Sequence, residues 1–179
     1  IGIASSPYND DLTFDFASLE RQVEYIVNSG ANGISFPIMA SEFYVLSDDE
    51  RKKAVETVIR VTAGAVPVCV GVTGQNIHHS CALAEHAQDA GADVLVSMTP
   101  ILHTIGPDQT CEYFHMLNDR VSIPIMMQNV AAYGMSPLPI PRALQLVKEC
   151  DNIVALKEEG EPSIMRIEQA VREGKECGV

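Results

Sequence analysis

Lys157 stands at the end of the apolar run Ile153-Val154-Ala155-Leu156 and is followed at once by Glu158 and Glu159. The run reads as a short buried strand, and in parallel α/β folds chemistry gathers where strands end and loops begin. A lysine delivered there has two readings. In one it is a solvated charge that starts the next helix, the usual fate of the residue type. In the other it is an amine held among apolar walls, its charged form disfavoured, able to attack a ketone and form a Schiff base. The resulting iminium draws electrons from a neighbouring bond, so one lysine can serve carbon–carbon cleavage, its reverse, or loss of water. Glu158 and Glu159 could support Lys157 electrostatically or act as helix-start acids.

Other polar residues offer less. His78 and His79 are adjacent, so on a helix they point about 100° apart and cannot share one ion simply. His86 is off the i, i+4 spacing of a helical zinc pair. His103 falls in a loop where it could touch a substrate hydroxyl or lie exposed. Asp48, Asp49 and Glu50 read as first-turn acids at a helix N-terminus. No convincing metal-ligand set emerges, so neither metal nor cofactor is expected.

The elements that must position Lys157 follow a regular alternation. IGIASSP opens as a strand, and Thr13 or Asp15 can cap a helix with apolar residues at Leu19, Val23, Ile26 and Val27, ending at Ser29-Gly30. GISFP is a second strand; Ser47 with Glu50 forms a capping box for a helix through Thr62 that ends at Gly64. VPVCVGV, ADVLVS and IPIMMQN are the third to fifth strands, separated by the helices IHHSCALAEHAQDA and TCEYFHMLNDR. Pro141 suits the first turn of RALQLVKEC, the Lys157 strand is the sixth, SIMRIEQAVREG is the last helix, and Lys175–Val179 reads as a turn into a seventh strand.

Six strand–helix units predict a parallel sheet with helices outside it. A closed eight-unit barrel takes roughly 250 residues and at least about 200. At 179 residues the expectation is α/β, a (β/α)8 TIM barrel holding about the first six units, as one domain over residues 1–179 that is incomplete on its C-terminal side. An open doubly wound sheet is the alternative, but no G-x-G-x-x-G turn follows the first strand.

Composition narrows the function classes. The net charge of −12, from 24 acidic and 12 basic residues, argues against nucleic acid. No run approaches the roughly 18 apolar residues of a membrane span, and no basic–apolar–small signal opens the chain. A soluble, cytoplasmic protein is expected. The five cysteines are scattered and lack C-x-x-C spacing, which suggests reduced thiols.

With these pieces in order, the chain resembles the dihydrodipicolinate synthase / N-acetylneuraminate lyase family of Schiff-base barrel enzymes. The resemblance rests on the opening Ser6-Pro7-Tyr8, on Ser41-Glu42-Phe43 with Leu46-Ser47 and Glu50-Arg51, on VPVCVGV, AGADVLVSMTP and IPIMMQN, and on the strand ending in Lys157. It implies that Lys157 is the Schiff-base lysine of a lyase or aldolase acting on a 2-keto acid, either pyruvate-type or a keto-deoxy sugar acid. It also implies a homo-oligomer, dimer or tetramer. Two departures stand out. Where the family carries a hydroxyl pair before Gly-Glu, this chain has Met39-Ala40-Ser41-Glu42; the backbone N–H groups of Ala40 and Ser41 could still hold a carboxylate, and Ser41 could add its hydroxyl. Where the family carries a proton-relaying tyrosine, the fifth strand here ends in Gln128-Asn129-Val130-Ala131. Gln128 can orient substrate or a water but cannot shuttle a proton as a phenol does. Tyr133 could swing in, while Pro100 is followed by Ile101 and Leu102 where a tyrosine is common. These losses lean away from the lysine-pathway synthase itself, 4-hydroxy-tetrahydrodipicolinate synthase, which stays a further alternative. A barrel paralogue that binds a small carboxylate or a protein partner without turnover is the other reading; a metal-dependent lyase is weaker.

Overall fold

Local signals set most of the boundaries. In the computed structural model, which describes residues 1–100, 105–131 and 137–177, Asp15 caps α1 (Phe16–Asn28), its carboxylate accepting the Ser18 N–H at 2.9 Å. Gly30 follows the helix at φ +82°, where glycine carries no Cβ penalty. Ser47 and Glu50 close a reciprocal capping box at the start of α2 (Asp48–Thr62). Pro107 and Pro141 sit in the first turns of α4 (Pro107–Asn118) and α5 (Ile140–Glu149), where a missing N–H is harmless. The remaining helices are α3 (Ile77–Ala90) and α6 (Ser163–Cys177).

The strands are β1 (Gly2–Ile3), β2 (Ile34–Ser35), β3 (Val68–Gly71), β4 (Val94–Ser97), β5 (Ile125–Val130) and β6 (Ile153–Glu159). They follow one another in the sheet in chain order, β1-β2-β3-β4-β5-β6. The β1/β2, β2/β3 and β5/β6 pairs are parallel. A doubly wound sheet would reverse direction at a switch point, whereas an order that never reverses is that of a (β/α) barrel.

The residues group into two compact units: 1–72 with 83–95, and 73–82 with 96–179. In the first, Leu19 and Val23 of α1, Ile34 and Phe36 near β2, and Ala54 and Val58 of α2 are buried together with Val70. Gly71 permits a close approach there: a Cβ would lie 1.9 Å from the Pro37 carbonyl oxygen. The second unit buries Phe114 and Leu117 of α4, Ile125 and Met127 of β5, and Leu138, Ile140 and Leu146 on and before α5.

Several boundaries differ from expectation, and the strands β1 to β3 are shorter than the apolar runs that contain them. The fourth helix starts at Pro107 instead of Thr110, because proline is pre-organised for a first turn. The last helix continues through Cys177 and absorbs residues expected to turn towards a seventh strand. Gly174 weakens its interior, but the neighbouring Glu and Lys residues are good helix formers. Lastly, β6 runs to Glu159, so Lys157 lies within the strand. Glu158 and Glu159 are strand residues, not helix-start acids, since α6 begins only at Ser163.

Candidate active site

The extended β6 decides what surrounds Lys157. β5 and β6 pair in register as Gln128 with Lys157, Asn129 with Glu158 and Val130 with Glu159. Side chains alternate along a strand, so Gln128, Lys157 and Glu159 share one face, while Asn129 and Glu158 share the other.

On the first face, Lys157 Nζ lies 3.5 Å from Glu159 Oε1, with the two side chains 33% and 40% exposed. Gln128, buried in its body, donates its Nε2–H to Glu159 Oε2 at 2.6 Å. One carboxylate thus holds an amide with one oxygen and faces the amine with the other. The lysine's immediate company is an ion pair, not a dry apolar wall.

The opposite face is a closed clamp. The Glu158 side chain is only 4% exposed. Its oxygens accept from Asn129 Nδ2 at 2.6 Å, the Gly160 N–H at 2.7 Å and Arg166 Nε at 2.7 Å. Arg166 Nη2 also donates to the Leu138 carbonyl at 2.6 Å. Asn129 reaches the same residue twice, accepting the Leu138 N–H at 2.7 Å and donating to its carbonyl at 3.1 Å. The ends of β5 and β6, the approach to α5 and the first turn of α6 are therefore pinned behind Lys157. Gly160 makes room for this, since a Cβ there would lie 2.4 Å from Arg166 Nε and 2.6 Å from Glu158 Oε1.

Elsewhere in this unit, Tyr113 is buried with its hydroxyl 2.8 Å from Ser97 Oγ and donating to Ser80 Oγ at 2.8 Å, while Ser80 Oγ accepts the Gly74 N–H. This phenol is tied into a structural chain of hydroxyls. It also lines a cavity of about 370 Å³ with Asn76, Pro100, Ile105 and Met116, whose walls do not include Lys157.

In the first unit, Ala40 and Ser41 lie on a short 3₁₀ turn, Met39–Ser41. Ser41 is fully buried; its hydroxyl donates to the Ala4 carbonyl at 2.6 Å and its N–H to the Ile38 carbonyl at 2.9 Å. Both donors are spent on fastening the turn, so a carboxylate would take Ser41 only by displacing one of them. Ala40 is exposed. His103, Ile101, Leu102 and Tyr133 lie outside the described residues.

The thiols are poor nucleophiles. Cys69, Cys81, Cys111 and Cys150 are free and buried; burial pushes Cys69 and Cys111 upward, and Cys150 to about 11 with help from Glu149. Among the described residues, no group of three or more His, Cys, Asp or Glu is disposed to hold a metal ion. His86 Nε2 instead lies 2.9 Å from Glu56 Oε1. No described helix is long and apolar enough to cross a membrane.

Residues 1–177 match the dihydrodipicolinate synthetase family. The chain belongs to that family. It is 28% identical over 173 residues to a 4-hydroxy-tetrahydrodipicolinate synthase of Brucella abortus, covering 97% of this chain and 58% of the relative. It is 25% identical over 154 residues to a probable 2-dehydro-3-deoxy-D-pentonate aldolase, YjhH, of Escherichia coli, covering 86% of this chain and 51% of that one. A solved structure of YagE, a prophage protein of the same family from E. coli in complex with pyruvate, superposes with a TM-score of 0.91 at 25% identity, over 99% of this chain and 60% of its own. The chain thus spans a little over half the length of these relatives, and its fold is that part of their (β/α) barrel.

Sequence reasoning singled out Lys157 and Gln128, and the structure puts them side by side. It left the roles of Glu158 and Glu159 open and missed Asn129 and Arg166. The signal was there in part: Gln-Asn on one strand facing Lys-Glu-Glu on the next, readable only once the register is known.

Proposed function

We propose that this chain carries the Schiff-base lysine of a lyase or aldolase that acts on a 2-keto acid, with Lys157 as the nucleophile. The observation that carries the reading is the placement of Lys157 on the Gln128 face of β6, in a chain of this family. The amine attacks the keto carbon, water leaves, and the iminium withdraws electrons from the adjacent carbon–carbon or carbon–oxygen bond. Lysine itself supplies the electron sink, so the reaction takes no cofactor and no metal. The substrate is of the pyruvate or keto-deoxy sugar acid class, a choice supported by relatives described as a pentonate aldolase and as a pyruvate complex. Ala40 and Ser41 are the proposed carboxylate holders, Ser41 at the cost of an internal hydrogen bond. Action in the cytoplasm as a dimer or tetramer belongs to the same proposal.

The test is borohydride reduction of the full natural protein with pyruvate and longer 2-keto acids, read by intact mass and peptide mapping. A reduced adduct on Lys157, absent from Lys157→Met, is the expected result. A folded protein that gives no adduct with any keto acid is instead a carboxylate-binding paralogue without turnover.

A further inference from the structure

Forming the imine moves protons, and the fifth strand offers an amide where a phenol would serve. Gln128 cannot carry a proton through a reaction, but it can aim a group that does. Such a group lies beside it. Glu159 is two residues beyond Lys157 on the same face of β6, its Oε1 at 3.5 Å from Nζ. Its other oxygen is fixed by Gln128 at 2.6 Å. The neighbouring acid cannot compete, because Glu158 is closed among Asn129, Gly160 and Arg166 on the opposite face. Glu159, at 40% exposed, still has a side open to an incoming molecule.

We propose that Glu159 is the proton-transfer residue of the Lys157 site and that Gln128 is its positioning residue. The inference rests on the Schiff-base reading above. The Glu159 carboxylate takes one proton from the Lys157 ammonium, leaving a neutral amine and a carboxylic acid. The amine attacks the keto carbon, and the nitrogen's proton passes to the former carbonyl oxygen, giving a neutral carbinolamine. The Glu159 acid then protonates that hydroxyl; the carbon–oxygen bond breaks, water leaves, and the nitrogen lone pair completes the iminium. Glu159 is again a carboxylate, now facing the positive iminium. Overall, an ammonium and a ketone give an iminium and one water, with charge conserved.

The bland alternative is an exposed ion pair of little consequence, and kinetics separates the two. In the full natural protein, Glu159→Gln should slow the rate of borohydride-trappable imine formation with pyruvate by about 10²–10³-fold, the usual yield of positioned acid–base catalysis. It should also flatten the acidic limb of the pH–rate profile, while a long incubation still labels Lys157. Glu159→Asp should recover at least about a tenth of the lost rate. Gln128→Leu, which removes the aiming amide and keeps the carboxylate, should lower the rate of imine formation without abolishing the limb, and it reads the same step should Glu159→Gln prove unfolded by its melting curve. An adduct formed by Glu159→Gln at the wild-type rate and with the wild-type pH profile overturns the role of Glu159 and leaves the Schiff base standing. A wild-type protein that forms no adduct overturns the Schiff-base reading, and this inference with it.

Discussion

Glu158 places a carboxylate where only 4% of the side chain meets solvent, against an Arg166 side chain that is 17% exposed. Breaking such a pair from one side leaves the partner charge buried and uncompensated, which costs about 3–5 kcal/mol. Glu158→Ala should therefore lower unfolding free energy by about that amount in urea titration, and Glu158→Gln by less, since the single amide oxygen still accepts from Gly160 and Arg166 and only the bond from Asn129 is lost. A loss below about 1 kcal/mol would mean the clamp does not act as a closed unit. At this scale the sequence was half legible. Lys157 stands out through its place in the family resemblance, since a lysine after four apolar residues is by itself most often a solvated charge. Two consecutive glutamates carry no mark of which side each faces, and only the pairing with Gln128 and Asn129 separates them. Ser41 misleads for the same reason: its hydroxyl is an available donor in the sequence and a spent one in the fold.

Elements whose ends are written in local chemistry were the most legible. The Ser47–Glu50 box predicted α2 to the residue because both partners lie within one turn. Ser47→Ala should cost about 1 kcal/mol, read as a lower denaturation midpoint with an unchanged slope. Hydrogen bonds from Ser47 hold the Glu50 carboxyl below its ordinary value. A group depressed on folding contributes stability above its unfolded value and loses it as pH falls through the folded one. The penalty of Glu50→Gln should thus be constant above about pH 5 and fade below about pH 4; a penalty unchanged at pH 3 would contradict the box. Ends without such chemistry were misjudged. Nothing in VALKEEG says where a strand stops, because that is settled by partners on β5 and by the Arg166 clamp on the next helix.

Across the whole molecule, apolar surface is unevenly shielded. Ile164, Met165, Ile167 and Val171 of α6 are 75%, 67%, 46% and 53% exposed, a contiguous helical patch of the kind that drives association. The 179-residue chain alone should self-associate as its concentration rises in light scattering, and Ile164→Lys with Met165→Lys should suppress this; a monomer at every concentration would refute the reading. Alternation alone predicted a parallel sheet with helices outside it; preferring the barrel order over a doubly wound sheet drew partly on the family resemblance, and the structure gives the order in which each strand neighbours the next in the chain. The alternation along β6 has a historical consequence as well. In the proposed reaction Lys157 and Glu159 answer to the substrate, whereas Glu158 and Gly160 answer to the helix behind them. With Lys157 kept as the proposed nucleophile, Glu159 is the position that selection for a new reaction can revise while Glu158 and Gly160 keep the architecture intact, so a lineage can change its trade on this strand without rebuilding the house.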